Sequence, residues 1–324
     1  MSTARVFREA RGVLEDAGLR GGFLVRDLLT GEELGIEPDA VFPAASLIKV
    51  PLAVAVLEAA HRGELDLTAV VTVPPDRVET PGPPGLMRFR HPATIAVEDL
   101  LYLAVAISDG AAADALFALV PPAAVMDELR RLRLDGIAVR HRIRTLNDTP
   151  ADRLAPEDVH LAHALAIGAV TTGHGHPIPQ LDVSRANAGS ARAFADLLAA
   201  LWTPSAIAPP VAARVRELMG DSVHRQRLAP DLASDASHWS SKTGTVLTMR
   251  HEMGVVAHAD GGRYAIVALT ESRVPATVQP AAEAAMGRVA RMLRDLLRTE
   301  NSQTITDIGS PAPVRTPPRS SSAR

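Results

Sequence analysis

Apolar positions recur at helical spacing over residues 5–18, 44–62, 96–119, 125–134, 157–169, 191–201, 211–219 and 280–297, and each stretch predicts a helix. Gly21-Gly22 is read as ending the first helix, Ser108-Asp109-Gly110 as interrupting the third, and Ser190 as an N-cap for the helix that follows it. Alternating or continuous apolar runs predict strands at 23–25 and 32–36, joined through Thr30-Gly31. Further strands are predicted at 239–247, 253–258 and 264–269, the last two joined through Asp260-Gly261-Gly262. Proline-rich residues 74–92 read as a long loop, 140–156 and 171–187 as irregular, and the Ser/Pro/Thr-rich tail from Thr299 as disordered. Strands near both ends pair most easily into one sheet flanked by the terminal helices, with the helical middle as an inserted layer. This gives a mixed α/β fold. Its sheet domain takes in 1–40 and 206–298, its helical domain 41–205, and its tail 299–324.

Composition narrows the chemistry. The chain of 324 residues is 47% hydrophobic and 22% charged, values of an ordinary globular protein. A net charge of −3 offers no general attraction to nucleic acid or to an anionic membrane. With no cysteine, a disulfide framework, a thiolate metal site and a cysteine nucleophile are excluded. No apolar run approaches the ~18 residues of a membrane span, and the first residues lack the apolar stretch of a secretory signal, so a cytoplasmic protein is expected. Of 34 basic residues only two are lysine, Lys49 and Lys242. Arginine serves wherever a charge alone is needed, whereas a buried lysine can lower its pKa and act as a base.

Both lysines stand in short motifs. Ser46-Leu47-Ile48-Lys49 opens an apolar helix, where residues three apart share a face and a lysine amine can take a serine proton. The plainer reading is a serine cap beside a snorkelling lysine. Lys242-Thr243-Gly244-Thr245 lies on a predicted strand, where lysine can hold an anion, glycine admits close backbone approach and edge N–H groups can bind an oxyanion. Its plainer reading is an exposed strand lysine before a turn. Ser108-Asp109-Gly110, between them, is either a helix break with caps or a third piece of one site.

In this order the three motifs resemble the S-x-x-K, S-D-N and K-T-G set of class A β-lactamases and penicillin-binding proteins. The likeness spans residues 5–298. It includes the runs SLIKVPLAVAVLEAAHRGELDLTAVVTV, HPATIAVEDLLYLAVAISDGAAADALFAL, SARAFADLLAALW, VAARVRELMGDSVHRQRLAP and WSSKTGT. The resemblance implies an antiparallel sheet with an inserted helical domain and a serine hydrolase or acyltransferase that forms an acyl-enzyme on a small ester, amide or lactam, without a cofactor or metal. It implies Ser46 as nucleophile, Lys49 as its base, Ser108 as proton relay and Lys242 as orienting cation. The backbone N–H groups of Ser46 and Thr245 would form the oxyanion hole. Gly110, Thr243, Gly244, Thr245 and Arg250 would line the substrate site, although Arg250 alone also reads as a solvated strand-end residue.

Two departures stand out. Gly110 replaces the asparagine that in the family contacts the substrate's acylamide, which suggests a different acyl side chain. Arg144-Thr145-Leu146-Asn147 fits the end of the family's Ω-loop pattern, which puts Ile143 where the family carries its glutamate; Glu157 or Asp148 are the carboxylates left to substitute. About thirty extra residues follow, an insertion over 148–187 containing His160, His163, His174 and His176. A lid over the site is the expected use of this insertion, ahead of a metal site. Three rival readings are a true β-lactamase, a D,D-peptidase and a non-catalytic binding module. The missing glutamate weighs against the first, a cytoplasmic location against the first two, and retention of both lysines against the third.

Overall fold

The computed structural model describes residues 2–75, 84–169, 174–276 and 278–309. Residues 76–83 of the proline-rich loop, 170–173 of the insertion and 310–324 of the tail lie outside them, as does the side chain of Asn147. Helix α1 (Thr3–Asp16) leads into β1 (Leu19–Asp27), β2 (Glu33–Ile36) and β3 (Val41–Pro43). A 3₁₀ turn, Ala45–Ile48, runs into α2 (Lys49–His61), followed by β4 (Val70–Val73), β5 (Ala93–Ala96), α3 (Val97–Val105), α4 (Gly110–Leu119) and α5 (Pro122–Arg131). Short helices α6 (Ile143–Asn147) and α7 (Pro150–Arg153) precede α8 (Val159–Gly168), β6 (Ala188–Ser190), α9 (Ala191–Trp202), α10 (Pro209–Gly220) and α11 (Ala229–Leu232). Strands β7 (Ser237–Val246), β8 (Met249–His258) and β9 (Arg263–Ser272) and helix α12 (Pro280–Gly309) complete the chain.

The main sheet is antiparallel with order β2-β1-β9-β8-β7, so strands from the two ends of the sequence pair directly, Leu19 opposite Ser272 and Asp27 opposite Tyr264. Its two faces bury different cores. On one, Phe23, Val25, Ile266 and Ala268 pack with Ala10 and Leu14 of α1 and Met286, Val289 and Leu293 of α12. On the other, Leu24, Val255, Val267 and Leu269 pack with the helical part of the molecule. At the centre of that part runs α2, buried continuously from Lys49 to Glu58 and therefore apolar on every side rather than striped. Pro51 is tolerated because it falls in the first turn, where its missing N–H has no partner to lose.

Local signals account for several boundaries. The Ser190 hydroxyl accepts from Ala193 N at 3.1 Å, as an N-cap should. The helix predicted over 96–119 divides at Ser108-Asp109, where Ser108 takes a left-handed φ of 62° and Asp109 caps α4 through Ala111 N and Ala112 N. Three expectations are corrected. Gly21-Gly22 does not separate elements but lies inside β1, because the neighbouring strand is so close that a Cβ on Gly21 would stand 2.4 Å from the Leu269 carbonyl oxygen. Strand β8 begins at Met249 rather than 253, since Arg250, His251 and Glu252 are buried strand residues with polar partners. Helix α12 runs to Gly309, past the expected start of the tail at Thr299. No proline or glycine intervenes between Gly287 and Gly309.

Candidate active site

Three segments meet where α2, the α3–α4 junction and the edge strand β7 converge. Ser46, partly exposed, occupies the 3₁₀ turn leading into α2, directly after Ala45, whose φ of 47° is left-handed for an L-residue. Lys49, in the first turn of α2, is buried and donates from Nζ to the Ser108 carbonyl at 2.5 Å and to Ser108 Oγ at 3.2 Å. Lys242 of β7, equally buried, reaches the same Oγ at 2.8 Å and the Thr243 carbonyl at 2.8 Å. Ser108 Oγ thus accepts from both lysines of the chain. The i, i+3 pairing expected between Ser46 and Lys49 is not what forms: the ammonium turns to Ser108, and no described residue hydrogen-bonds the Ser46 hydroxyl.

Burial pulls Lys49 down to about 8, opposed by the charges of Asp109 and Asp114. Burial likewise takes Lys242 well below its ordinary value, helped by the cations Lys49 and Arg227. Asp109 is anchored by Leu86 N, Ala111 N and Ala112 N. Asp114 is anchored by Ile143 N at 2.7 Å and Arg144 N at 2.8 Å. Both carboxylates are held by backbone N–H groups and act on Lys49 through charge.

Gly244 is the residue that lets β7 approach the serine. A Cβ there would lie 3.0 Å from the Ala44 carbonyl oxygen, 3.2 Å from Leu47 Cγ and 3.3 Å from Ala45 Cβ. Thr243 is buried and Thr245 exposed on the same strand edge. The turn carrying Ser46 is also held from behind. His251 Nε2 donates to the Pro43 carbonyl at 2.8 Å while Nδ1 accepts from Thr270 N at 3.1 Å, an arrangement open only to the neutral ring. Burial pushes its pKa down to about 4.

Arg250 is corrected. It is not a solvated strand end. Its guanidinium is buried and donates to the carbonyls of Leu247 at 2.5 Å, Met249 at 3.0 Å and Ala276 at 3.1 Å, bracing the β7–β8 turn. Arg227 stands nearer the site. It donates to Thr245 Oγ1 at 2.8 Å and to the Gly244 carbonyl at 3.0 Å, with Glu283 at 2.9 Å behind it. His224 rests against the Ile107 carbonyl, its Nε2 buried without a partner, close enough to Lys242 and Lys49 for their charges to lower its pKa alongside the larger effect of burial. Sequence reasoning missed both residues: one arginine among 32 carries no signal, and only packing brings the 221–228 loop to the site.

At the Ω-loop position Ile143 is buried, with its Cγ2 facing Gly110. Asp148 is exposed and paired with Arg153, and Glu157 is exposed, so neither occupies that place. In the insertion, Gln180 Nε2 ties the chain to the Thr145 and Asp148 carbonyls at 2.9 and 2.8 Å. His163 of α8 lies near enough to Arg250 to feel its charge, although burial is the larger influence on it. His176 joins Ile178 N to the Ala166 carbonyl, and His160 meets the Glu157 carbonyl. Among the described residues no single helix is long and apolar enough to cross a membrane.

His251→Ala is expected to cost about 2–4 kcal/mol in urea unfolding at pH 7, because two buried backbone groups lose their partner. The folded pKa of His251 lies below the ordinary value, so the unfolded chain takes up the proton first as pH falls. The contribution is complete above about 6.5 and is lost towards about 4. The gap between wild type and variant should therefore narrow over that range; a constant gap would contradict the neutral ring.

A profile of the β-lactamase enzyme family matches residues 5–297. The β-lactamase regulatory protein BlaB of Streptomyces cacaoi is 56% identical over 309 residues, covering 92% of this chain and 99% of that protein. Among solved structures, a β-lactamase from Chitinophaga pinensis superposes with a TM-score of 0.72 at 19% identity, covering 90% of this chain and 99% of the other. A mutant of PBP-A, solved as an acyl-enzyme complex with penicillin G, superposes with a TM-score of 0.69 at 20% identity, covering 92% and 97%. Matched over residues 5–297 and folded in the same way, this chain belongs to the β-lactamase enzyme family.

Proposed function

We propose that this protein forms an acyl-enzyme on Ser46 from a small ester, amide or lactam and releases the acyl group slowly. The observation that carries the reading is the sharing of Ser108 Oγ by Lys49 and Lys242, beside a buried Ile143 that can hold no water as a base. In acylation, Ser46 Oγ bonds to the carbonyl carbon and its proton passes to the neutral amine of Lys49. The leaving group departs with a proton from Ser108, whose hydroxyl accepts from both lysines and so keeps its own hydrogen to donate. Lys49 passes the proton it took from Ser46 on to Ser108, and Lys242 stays charged to hold Ser108 and orient the substrate's anionic group, with Arg227 holding Thr245 in place. The N–H groups of Ser46 and Thr245 receive the oxyanion. Thr243 and Gly244 shape the edge along which the substrate lies.

Acylation without rapid hydrolysis suits a signalling role better than antibiotic destruction. The relative from Streptomyces cacaoi bears the name of a β-lactamase regulatory protein, which fits a site that reports its ligand by becoming acylated. The insertion around α8, tied to the Ω-loop through Gln180 and reaching towards Arg250, serves as the lid.

Intact-protein mass spectrometry with a penicillin should show one adduct, absent in Ser46→Ala. Loss of a positioned base costs about 10²–10⁴-fold in the step it serves. Deacylation is therefore expected at roughly 0.1 s⁻¹ or below, against about 1–10³ s⁻¹ for typical turnover. Hydrolysis of a chromogenic cephalosporin at tens per second, with no adduct, would overturn the proposal.

Stopped-flow acylation should quicken as pH rises through about 8, where Lys49 gives up its proton. Lys49→Arg should abolish that rise and slow acylation more severely than Lys242→Arg, since arginine keeps the charge but cannot act as a base. A wild-type rate in Lys49→Arg would remove Lys49 from the role of base.

A further inference from the structure

We propose that Met87 determines specificity, closing the acyl-side-chain region with an apolar wall that selects acyl groups without an amide. The inference rests on the acyl-enzyme reading above and deepens it. Gly110 is not an open gap beside Ser108. A Cβ there would stand 2.7 Å from Met87 Sδ, 3.4 Å from Met87 Cε and 3.0 Å from Ile143 Cγ2, so these two side chains fill the space that a larger residue would take. Met87 is buried, in the 3₁₀ turn Leu86–Arg88, and that turn is clamped to the start of α4: Leu86 N donates to Asp109 Oδ2, and Gly110 N to Met87 Sδ at 3.1 Å.

The backbone N–H donors on the wall are already engaged. Gly110 N is held by the thioether, Ile143 N and Arg144 N by Asp114, and the Asp109 carboxylate by three backbone N–H groups. An amide carbonyl placed against Met87 and Ile143 would lose its water and find each of these donors taken. An alkyl chain of the same length loses nothing polar and gains contact with a polarizable, adaptable side chain.

The test compares two chain-matched aryl esters, p-nitrophenyl pentanoate and p-nitrophenyl N-acetylglycinate. In each, the bond from carbonyl carbon to aryl oxygen breaks, the bond from Ser46 Oγ forms, and p-nitrophenol carries away the serine proton. The readout is the burst of one equivalent of p-nitrophenol, each rate divided by that of the same ester with hydroxide. Wild type should prefer the pentanoate by about 10- to 100-fold, the penalty expected for burying an unpaired amide. Met87→Leu should keep that preference. Met87→Gln, which places an amide on the wall and can still accept from Gly110 N, should cut the ratio at least about tenfold. Equal rates for the two esters in wild type, or a ratio unmoved by Met87→Gln, would overturn this proposal while leaving the acyl-enzyme reading intact. No burst with either ester and no adduct with penicillin would overturn both.

Discussion

Everything at this site depends on one hydroxyl. Ser108 Oγ receives Lys49 from α2 and Lys242 from β7, while Ser108 itself belongs to the α3–α4 junction. Three segments far apart in the chain are thereby held within hydrogen-bonding reach of one atom. Two buried amines cost several kcal/mol each if left ionised and unpaired. The protein meets that cost by lowering both pKa values, by carbonyl acceptors at Ser108 and Thr243, and by the charges of Asp109 and Asp114 behind Lys49. The same burial that makes the lysines expensive makes Lys49 able to act as a base.

The backbone supporting this hydroxyl is held in conformations an L-residue avoids. Ala45 and Ser108 both take positive φ, one directly before Ser46 and one at the shared hydroxyl itself. Such residues cost on the order of 1–3 kcal/mol each and persist only where their surroundings over-determine them. Here the surroundings are His251 behind Pro43, Gly244 against Ala44 and Leu47, and the capping of α4 by Asp109. The outer strand of a five-stranded sheet and the start of a fully buried helix supply the rigidity.

The two faces of the site differ in polarity. The face with Lys242, Thr243, Gly244 and Thr245 keeps its polar edge and is backed by Arg227. The opposite face, formed by Met87, Gly110 and Ile143, is apolar and packed shut. On the proposed reading, acylation belongs to the first face and the handling of water and of the acyl side chain to the second.

How much of this the sequence determined follows from the range of each interaction. The convergence of Ser46, the two lysines and the serine between them was legible because each sits in a short motif, and because a chain with 32 arginines and two lysines marks the positions where a lysine stands out. Strands at both ends and the Ser190 cap were legible from local periodicity and capping chemistry. The tertiary structure alone decided the rest. Spacing put Lys49 beside Ser46, but a carbonyl 59 residues away is the acceptor it finds. Arg250 reads as solvated in isolation and is instead buried under backbone carbonyls, one of them 26 residues on. Arg227, His224 and Met87 carry no local signal, for their roles come from loops folded against distant elements. Gly110 announced a missing side chain, and only packing showed that Met87 fills its place, because the volume at a position is set by neighbours that the linear order does not bring together.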